Sequence, residues 1–392
     1  MSPLDLSAIS HQVSRMSQDF VALDRGRYLD EACRRLHTLD PNDLRARLDA
    51  AQFGTSWLVA RPLNTLSDTY PVLQRPTSFD VVAADGSFIA PDRHNPVRYY
   101  VINTGSVVLS YGAEPDAHLS SHSALFYEEQ DLYIPHDYKI IPIEGARLGV
   151  KMALVELRAL LDAVEKVHGQ KPIIALRDGS LIFWALQAEE EEVKERFLRE
   201  LVELLDRFQA MNVPLASYVS FPNSRDVTNA LRVGVCPDDP VSCDQCSDRQ
   251  QKREPTCSPF GQVLDRWIFE RELSVGYRSD IFESSSPILK QYGASHWVCF
   301  FYLNVGEEIA RVEAPRWVIR DSGHLHLIHT LIYDQCRRGD GYPSALKEAH
   351  EQAVISTTER RVVEEMIEES LGQFNVFTRR SAKDTQKRRR GV

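Results

Sequence analysis

Two stretches of this chain end alike. Phe79-Asp-Val-Val-Ala-Ala-Asp-Gly-Ser87 and Pro172-Ile-Ile-Ala-Leu-Arg-Asp-Gly-Ser-Leu181 are each apolar, rich in β-branched residues and closed by Asp-Gly-Ser. Such runs read as strands, and glycine lets the backbone turn where a strand stops. Asp-Gly is also the commonest hairpin dipeptide, so either copy alone reads as a simple turn. Repetition in the same context points further, to two strand-end aspartates, Asp85 and Asp178, side by side at one sheet edge. Carboxylates held together by rigid strands repel unless a cation sits between them, and a divalent metal ion is the usual solution.

A third acid lies between the two runs. Residues 146–167 have the periodicity of a strong helix, and Glu156 has Met152, Ala153, Ala159, Leu160 and Ala163 around it at helical spacing. Its carboxylate therefore falls in the apolar stripe that faces the sheet, whereas Glu165 lies nearer the polar face. A carboxylate turned to a core is costly unless paired or metal-bound; a buried ion pair with Arg147 or Lys151 is the competing reading. His350 repeats the pattern among Leu346, Ala349, Ala353 and Val354, on a helix that starts at Pro343. A lone histidine on an apolar face is usually a core residue, but beside three acids it becomes a fourth ligand or a proton carrier. Asp, Glu, Asp and His suit Mg²⁺ or Mn²⁺, and such sites hydrolyse phosphodiesters.

The remaining chain supplies the frame. With 392 residues, 43% apolar and 26% charged, it has ordinary globular composition. A formal charge of −10 requires any nucleic-acid contact to come from local basic patches. Seven cysteines without a signal peptide point to the reducing cytoplasm, and no apolar run reaches the ~18 residues of a membrane span. Residues 1–55 read as amphipathic helices carrying Ile9, Val13, Met16, Phe20 and Leu23, and 56–78 as an irregular arm. Residues 98–110 read as one long strand or a bent pair, 189–211 as a charged helix and 215–220 as a strand. A helix capped by Asn223 or Ser224 follows, then a hairpin through Gly306 and helices at 324–336, 344–355 and 357–371. The expected fold is α/β, a ribonuclease-H-like mixed sheet flanked by helices, with helical N-terminal and C-terminal extensions. Its expected divisions are a helical region and arm over 1–78, a catalytic domain over 79–372 and a basic, disordered tail over 373–392. That tail carries Arg379, Arg380, Lys383, Lys387, Arg388, Arg389 and Arg390 against Asp384, and reads as solvated chain or as a contact to DNA or an acidic partner.

Residues 235–260 break the alternation. Cys236, Cys243, Cys246 and Cys257 share this short polar stretch, with Cys-x-x-Cys at its centre. Four thiolates in a loop with little core of its own suit a structural Zn²⁺, an iron–sulfur cluster fits the same ligands, and free cysteines are the bland alternative. Cys33, Cys299 and Cys336 sit in apolar settings and read as core residues.

The order strand-Asp, helix-Glu, strand-Asp, late helical ligand is that of the ribonuclease-H-like nucleases. The chain resembles the NurA nuclease family over roughly residues 80–370. The resemblance rests on Ala84-Asp-Gly-Ser87, Leu176-Arg-Asp-Gly-Ser-Leu181, the segments 276–286, 300–303 and 308–315, and Gly341-Tyr-Pro343 with Ala349-His-Glu351. It implies that Asp85, Asp178 and His350 are metal-site residues, with Glu156 as the helical acid chosen for its apolar stripe. It further implies a Mn²⁺-dependent single-strand endonuclease and 5′-to-3′ exonuclease, a ring-like homodimer, and docking on the hexameric HerA ATPase in DNA double-strand break end resection. A second class of function is a non-catalytic ribonuclease-H-like module that binds single-stranded DNA or clamps a motor ATPase. Such a module has no reason to keep Glu156 pointed inward beside two aspartates.

Overall fold

The computed structural model describes residues 5–374 except 23–24, 52–53, 56, 93–94, 96, 137–138 and 170; of the expected tail, 375–392 lie outside the described residues, and Gln373 still belongs to the last helix. In chain order, helices α1 (Leu6–Ala22), α2 (Arg25–Thr38) and α3 (Pro41–Ala50) precede the short strands β1 (Ala60–Pro62) and β2 (Thr69–Pro71). The long strands β3 (Phe79–Ile89), β4 (Tyr100–Tyr111) and β5 (Asp116–Phe126) follow. Next come α4 (Glu129–Leu132) and a separate hairpin of β6 (Tyr133–His136) and β7 (Lys139–Pro142). Alternation sets in with α5 (Ala146–Val167), β8 (Ile173–Asp178), α6 (Glu191–Ala210), β9 (Leu215–Val219) and α7 (Asp226–Val235). After α8 (Ser247–Gln250) and α9 (Asp265–Glu272) come β10 (Tyr277–Ser279), β11 (Phe282–Ser284), β12 (Val298–Asn304) and β13 (Ile309–Pro315). The last elements are α10 (Arg316–Arg320), α11 (Ser322–Arg338), α12 (Ser344–Ala353) and α13 (Thr357–Gln373).

Among the described residues eleven strands form one mixed sheet with the path β1-β11-β12-β13-β9-β8-β3-β4-β5, and β10 joins β2 to β12. Only β3–β8 and β8–β9 pair in parallel, joined by the crossovers that contain α5 and α6. Side chains alternate across these strands. Val82, Ala84 and Ala175 pack with Leu154, Leu157 and Leu161 of α5 and with Phe197 of α6. Val81, Ala83, Ile174 and Leu176 pack on the opposite face with Leu331 of α11 and Leu346 and Ala349 of α12. A third core joins α2, α3, α7 and α9 to Phe282, Phe300 and Tyr302 of the far strands. Among the described residues no helix is long and apolar enough to cross a membrane.

Several local expectations are corrected. The arm over 56–78 adds two strands to the sheet: β1 pairs β11 and β2 pairs β10, each ending at a proline, which short sheet-margin strands tolerate. The stripe on α1 does not enter a core, since Ile9, Val13 and Met16 are exposed; the side chains of Phe20 and Leu23 lie outside the described residues. Helix α7 is capped neither by Asn223 nor by Ser224. Its N-cap is Arg225, without a side-chain bond, and Asp265 of α9 reaches across to accept from Val227 N at 3.0 Å and Thr228 N at 2.8 Å.

Candidate active site

The two Asp-Gly-Ser copies adopt different structures. In the first, β3 does not stop: Asp85 pairs Gly105, Gly86 pairs Thr104 and Ser87 pairs Asn103, and the ladder runs on to Ile89. Gly86 eases the close approach of α5 and makes no turn, because a Cβ would stand 3.0 Å from Met152 Cγ and 3.8 Å from Glu156 Cβ. In the second copy Asp178 does end β8, and Gly179 turns the chain at φ +75°. Neither aspartate is at the sheet edge. They belong to adjacent inner strands, and the last paired residues, Ala84 and Arg177, each immediately precede one of them.

Alternation puts Asp85 and Asp178 on the face covered by α11 and α12, with Gly86 and Arg177 facing α5. Gly105, opposite Asp85, is where α12 comes down on the sheet, since a Cβ there would lie 2.3 Å from the Ala349 carbonyl oxygen. Asn103 Nδ2 donates to the carbonyls of Gln352 at 3.2 Å and Ala353 at 2.8 Å, and Ser87 Oγ donates to that of Ala353. These contacts bring His350 Nδ1 to 2.7 Å from Asp85 Oδ2. The apolar setting expected for His350 is corrected: Leu346, Ala349 and Ala353 are buried, but the imidazole is largely exposed and turned to Asp85.

Glu156 is buried, 3% exposed, as its stripe implied. Its partner is neither Arg147, which bonds Glu189, nor Lys151, which lies nearest Glu200; it is Arg177, whose Nε stands 3.1 Å from Glu156 Oε1. The contact lacks hydrogen-bond alignment, so both atoms remain without a hydrogen bond. Burial pushes the Glu156 carboxyl up to about 7; Arg177 pulls it down, and Asp85 and Asp178 push it up again. Asp178 is also raised, by burial first, while a hydrogen bond from Tyr342 opposes and Asp85 adds to the rise. The Tyr342 ring meets Tyr218 edge-on at 5.5 Å, and Tyr218 donates to Glu308 at 2.6 Å. Glu165, by contrast, is an exposed partner of Arg207. Sequence reasoning missed Tyr342 and Arg177 as site residues, although both lie inside motifs it used.

Among the described residues no three His, Cys, Asp or Glu side chains stand close enough to share a metal ion as they are placed. The residues nevertheless fit a hard cation. The donors are carboxylate oxygens and an imidazole, and Glu156 Oε1 is a buried oxygen without a hydrogen bond. The insert cysteines are partly exposed, and burial raises the Cys236 and Cys243 thiols, with Cys257 near both and Cys246 near Cys243. The insert is moored by Cys243 N donating to the Gly54 carbonyl at 2.7 Å, and by Arg47 donating to the carbonyls of Cys236 and Asp238.

No curated protein matches the chain by sequence. Solved structures resemble it at low identity. A crystal structure of NurA with manganese aligns at 12% identity and a TM-score of 0.37, covering 76% of this chain and 91% of that one. The catalytic domain of human endonuclease V aligns at 16% and 0.32, covering 75% and 84%. LC9-RNase H1, a type 1 RNase H with the type 2 active-site motif, aligns at 13% and 0.21, covering 40% and 71%. The family model of the NurA domain matches residues 79–355, from the first residue of β3 to just beyond α12, a span that contains Asp85, Glu156, Asp178 and His350. Because this match spans well over half of the chain, the chain belongs to the NurA nuclease family.

Proposed function

We propose that this chain is a Mn²⁺- or Mg²⁺-dependent deoxyribonuclease in which Asp85, Glu156, Asp178 and His350 hold the metal. The observation that carries the reading is Glu156: a buried acid whose Oε1 meets Arg177 Nε at 3.1 Å without good alignment, raised by burial first and then by Asp85 and Asp178 while Arg177 opposes the rise. A structural carboxylate would be expected to satisfy its lone pairs. When bound, a divalent cation supplies positive charge that offsets the charge building on a phosphodiester. The protein's own groups do the rest. Tyr342 orients Asp178, and Arg177 tempers the buried charge of Glu156. His350 Nδ1 donates to Asp85 Oδ2 at 2.7 Å, which leaves Nε2 as the nitrogen that would hold the cation.

Family membership supports the finer reading: single-strand endonuclease and 5′-to-3′ exonuclease activity, a homodimer, and work with a HerA-type hexameric ATPase in break-end resection. The test is digestion of 5′- and 3′-labelled single- and double-stranded DNA with Mn²⁺, Mg²⁺ or chelator. Cleavage by the wild type with either cation, abolished by chelator and by Asp85→Asn, is expected. A wild type inert with both cations overturns the reading. We also propose that Cys236, Cys243, Cys246 and Cys257 hold a structural Zn²⁺ or an iron–sulfur cluster, a soft-metal site separate from the carboxylates. Zinc or iron near one equivalent after dialysis against a mild chelator is expected, and absence of both metals overturns it.

A further inference from the structure

Just beyond the site, the chain holds an exposed aromatic ring in a costly backbone conformation. Phe221 follows β9, is 60% exposed and has φ +42°, in the left-handed region that a residue with a bulky side chain rarely enters. Such conformations persist only where the surroundings impose them, and they cluster at functional sites. Here Glu308 imposes it, with Oε2 accepting from Phe221 N and Ser220 Oγ, each at 2.8 Å. The other oxygen, Oε1, accepts from Tyr218, whose ring meets the Tyr342 that bonds Asp178. One carboxylate thus anchors the Phe221 backbone and, through two tyrosines, the aspartate of the site. Tyr218 is the register partner of Asp178, so Phe221 stands three residues past it, at most roughly 10 Å along the chain.

A cation accompanies the ring. The Arg266 guanidinium lies 5.5 Å from the Phe221 centroid, its Nε is buried without a hydrogen-bond partner, and among the described residues no carboxylate pairs with it. In a chain of net charge −10, an unpaired arginine beside an exposed ring is a local departure from the overall field. The surroundings of Phe221 do not suit a protein partner, which would call for a contiguous apolar patch. Its neighbours Ser220, Asn223 and Arg225 are polar, and Asn223 and Arg225 are exposed. An apolar ring face with an adjoining positive charge matches a nucleobase and its phosphate.

We propose that Phe221 and Arg266 form a stacking step that receives one base and the adjoining phosphate of single-stranded DNA beside the Asp85–Asp178 site, a reading that rests on the nuclease function proposed above. Phe221 contacts the substrate base, and Glu308 is the positioning residue beneath it.

The experiment measures affinity for a fluorescein-labelled oligothymidylate by anisotropy, in chelator so that no cleavage occurs. Phe221→Ala and Phe221→Gly should each weaken binding about tenfold, the scale of one lost stack. The glycine variant adopts positive φ without strain, so its folding is secure. Phe221→Trp should bind within roughly twofold of wild type, with oligonucleotide quenching its emission more than that of the wild type. Arg266→Gln should weaken binding and flatten its salt dependence. Phe221→Gly binding within roughly twofold of wild type, or Phe221→Trp emission quenched no more than wild type, overturns the stacking step while wild-type cleavage keeps the nuclease reading intact. Absence of wild-type cleavage with Mn²⁺ and Mg²⁺ removes the nuclease reading independently. A changed oligomeric mass with unchanged DNA affinity for Phe221→Gly would assign the ring to a protein contact and overturn the proposal.

Discussion

Two clusters of buried charge share this sheet, and they are built differently. Around β13, Arg311 bonds Asp226 at 2.6 Å and Glu313 at 2.9 Å, while Glu313 also accepts from Ser180 Oγ and Leu181 N. Asp265 accepts from Val227 N, Thr228 N, Thr228 Oγ1 and Tyr302 Oη, all within 3.0 Å. Arg311 Nη2 makes no hydrogen bond, but the guanidinium lies 3.6 Å from the Phe300 centroid. Burial works against the Arg311 charge, yet Asp226 and Glu313 hold its pKa above the ordinary value. At the β3–β8 end the balance is reversed: Glu156 has one misaligned arginine and two repelling aspartates. A buried charge furnished with partners is architecture. One set beside a single arginine and two like charges is the kind that a functional site keeps, in line with the cation site proposed above.

Substitution should separate the two clusters by what is lost. Asp85→Asn, Asp178→Asn and Glu156→Gln should each reduce cleavage by more than the about 10–100-fold that follows loss of an outer-shell partner. The melting temperature of the metal-free Asp85→Asn and Asp178→Asn proteins should hold or rise as repulsion is relieved. Glu165→Gln, on the exposed face of the same helix, should leave cleavage near wild type. If a labelled-DNA assay ranks Glu165→Gln below Glu156→Gln, the assignment of the helical acid is wrong. Arg311→Met should do the reverse, costing about 3–5 kcal/mol in urea unfolding because it strands Asp226 and Glu313. Cleavage per folded molecule should change little. An unfolding midpoint equal to wild type would show that these carboxylates do not depend on Arg311.

A buried ionisable group has a third option, which is to give up its charge. His329 of α11 is 3% exposed, with Nε2 at 3.1 Å from the Gly276 carbonyl, so the neutral ring donates there. Burial, then Arg278, lowers its pKa to about 4. Because the unfolded chain binds that proton near the ordinary histidine value of about 6.5, the contribution is present above that pH and is lost as pH falls toward 4. The loss is about 3 kcal/mol. Urea titrations at neutral and acid pH should show the wild type losing that much more than His329→Gln, whose amide can still donate to the carbonyl. Parallel pH profiles would mean that folding does not lower the His329 pKa.

Much of this was legible in the sequence where one residue's neighbours along the chain decide its state. The β-branched runs gave up β3 and β8, and helical spacing located α5 to the residue and turned Glu156 inward. What escaped depends on contacts between distant segments. Strand β5 is largely exposed and studded with Ser and His, so it has no apolar alternation to read. Asp85-Gly-Ser87 looks like a turn, but pairing with β4 keeps it extended. Tyr342 and Arg177 join the site through residues more than a hundred positions away or on another element, which no local pattern encodes. The cap of α7 failed for the same reason, since the capping acid comes from α9.

The smallest expected effect tests how the open oxygen of Glu156 is kept in place. Gly86 lets α5 lie against β3, and an added methyl would meet Met152 Cγ at 3.0 Å and Sδ at 3.5 Å. Methionine is unbranched and yields readily, and alanine suits a strand better than glycine by about 0.5–1 kcal/mol. Gly86→Ala should therefore alter stability by less than about 1 kcal/mol. Glu156 stands one turn along α5 from Met152, so the same methyl displaces the acid relative to Asp85, and cleavage should fall several-fold more than stability does. Gly179→Ala is the contrasting change: nothing lies within 4 Å of its added Cβ, but φ +75° makes it strained. It should cost about 1–2 kcal/mol. Urea midpoints for the two variants, read beside their cleavage rates, decide the matter. If Gly86→Ala proves the more destabilising while its cleavage per folded molecule stays at the wild-type level, close packing of α5 on β3 serves the core alone and does not position Glu156.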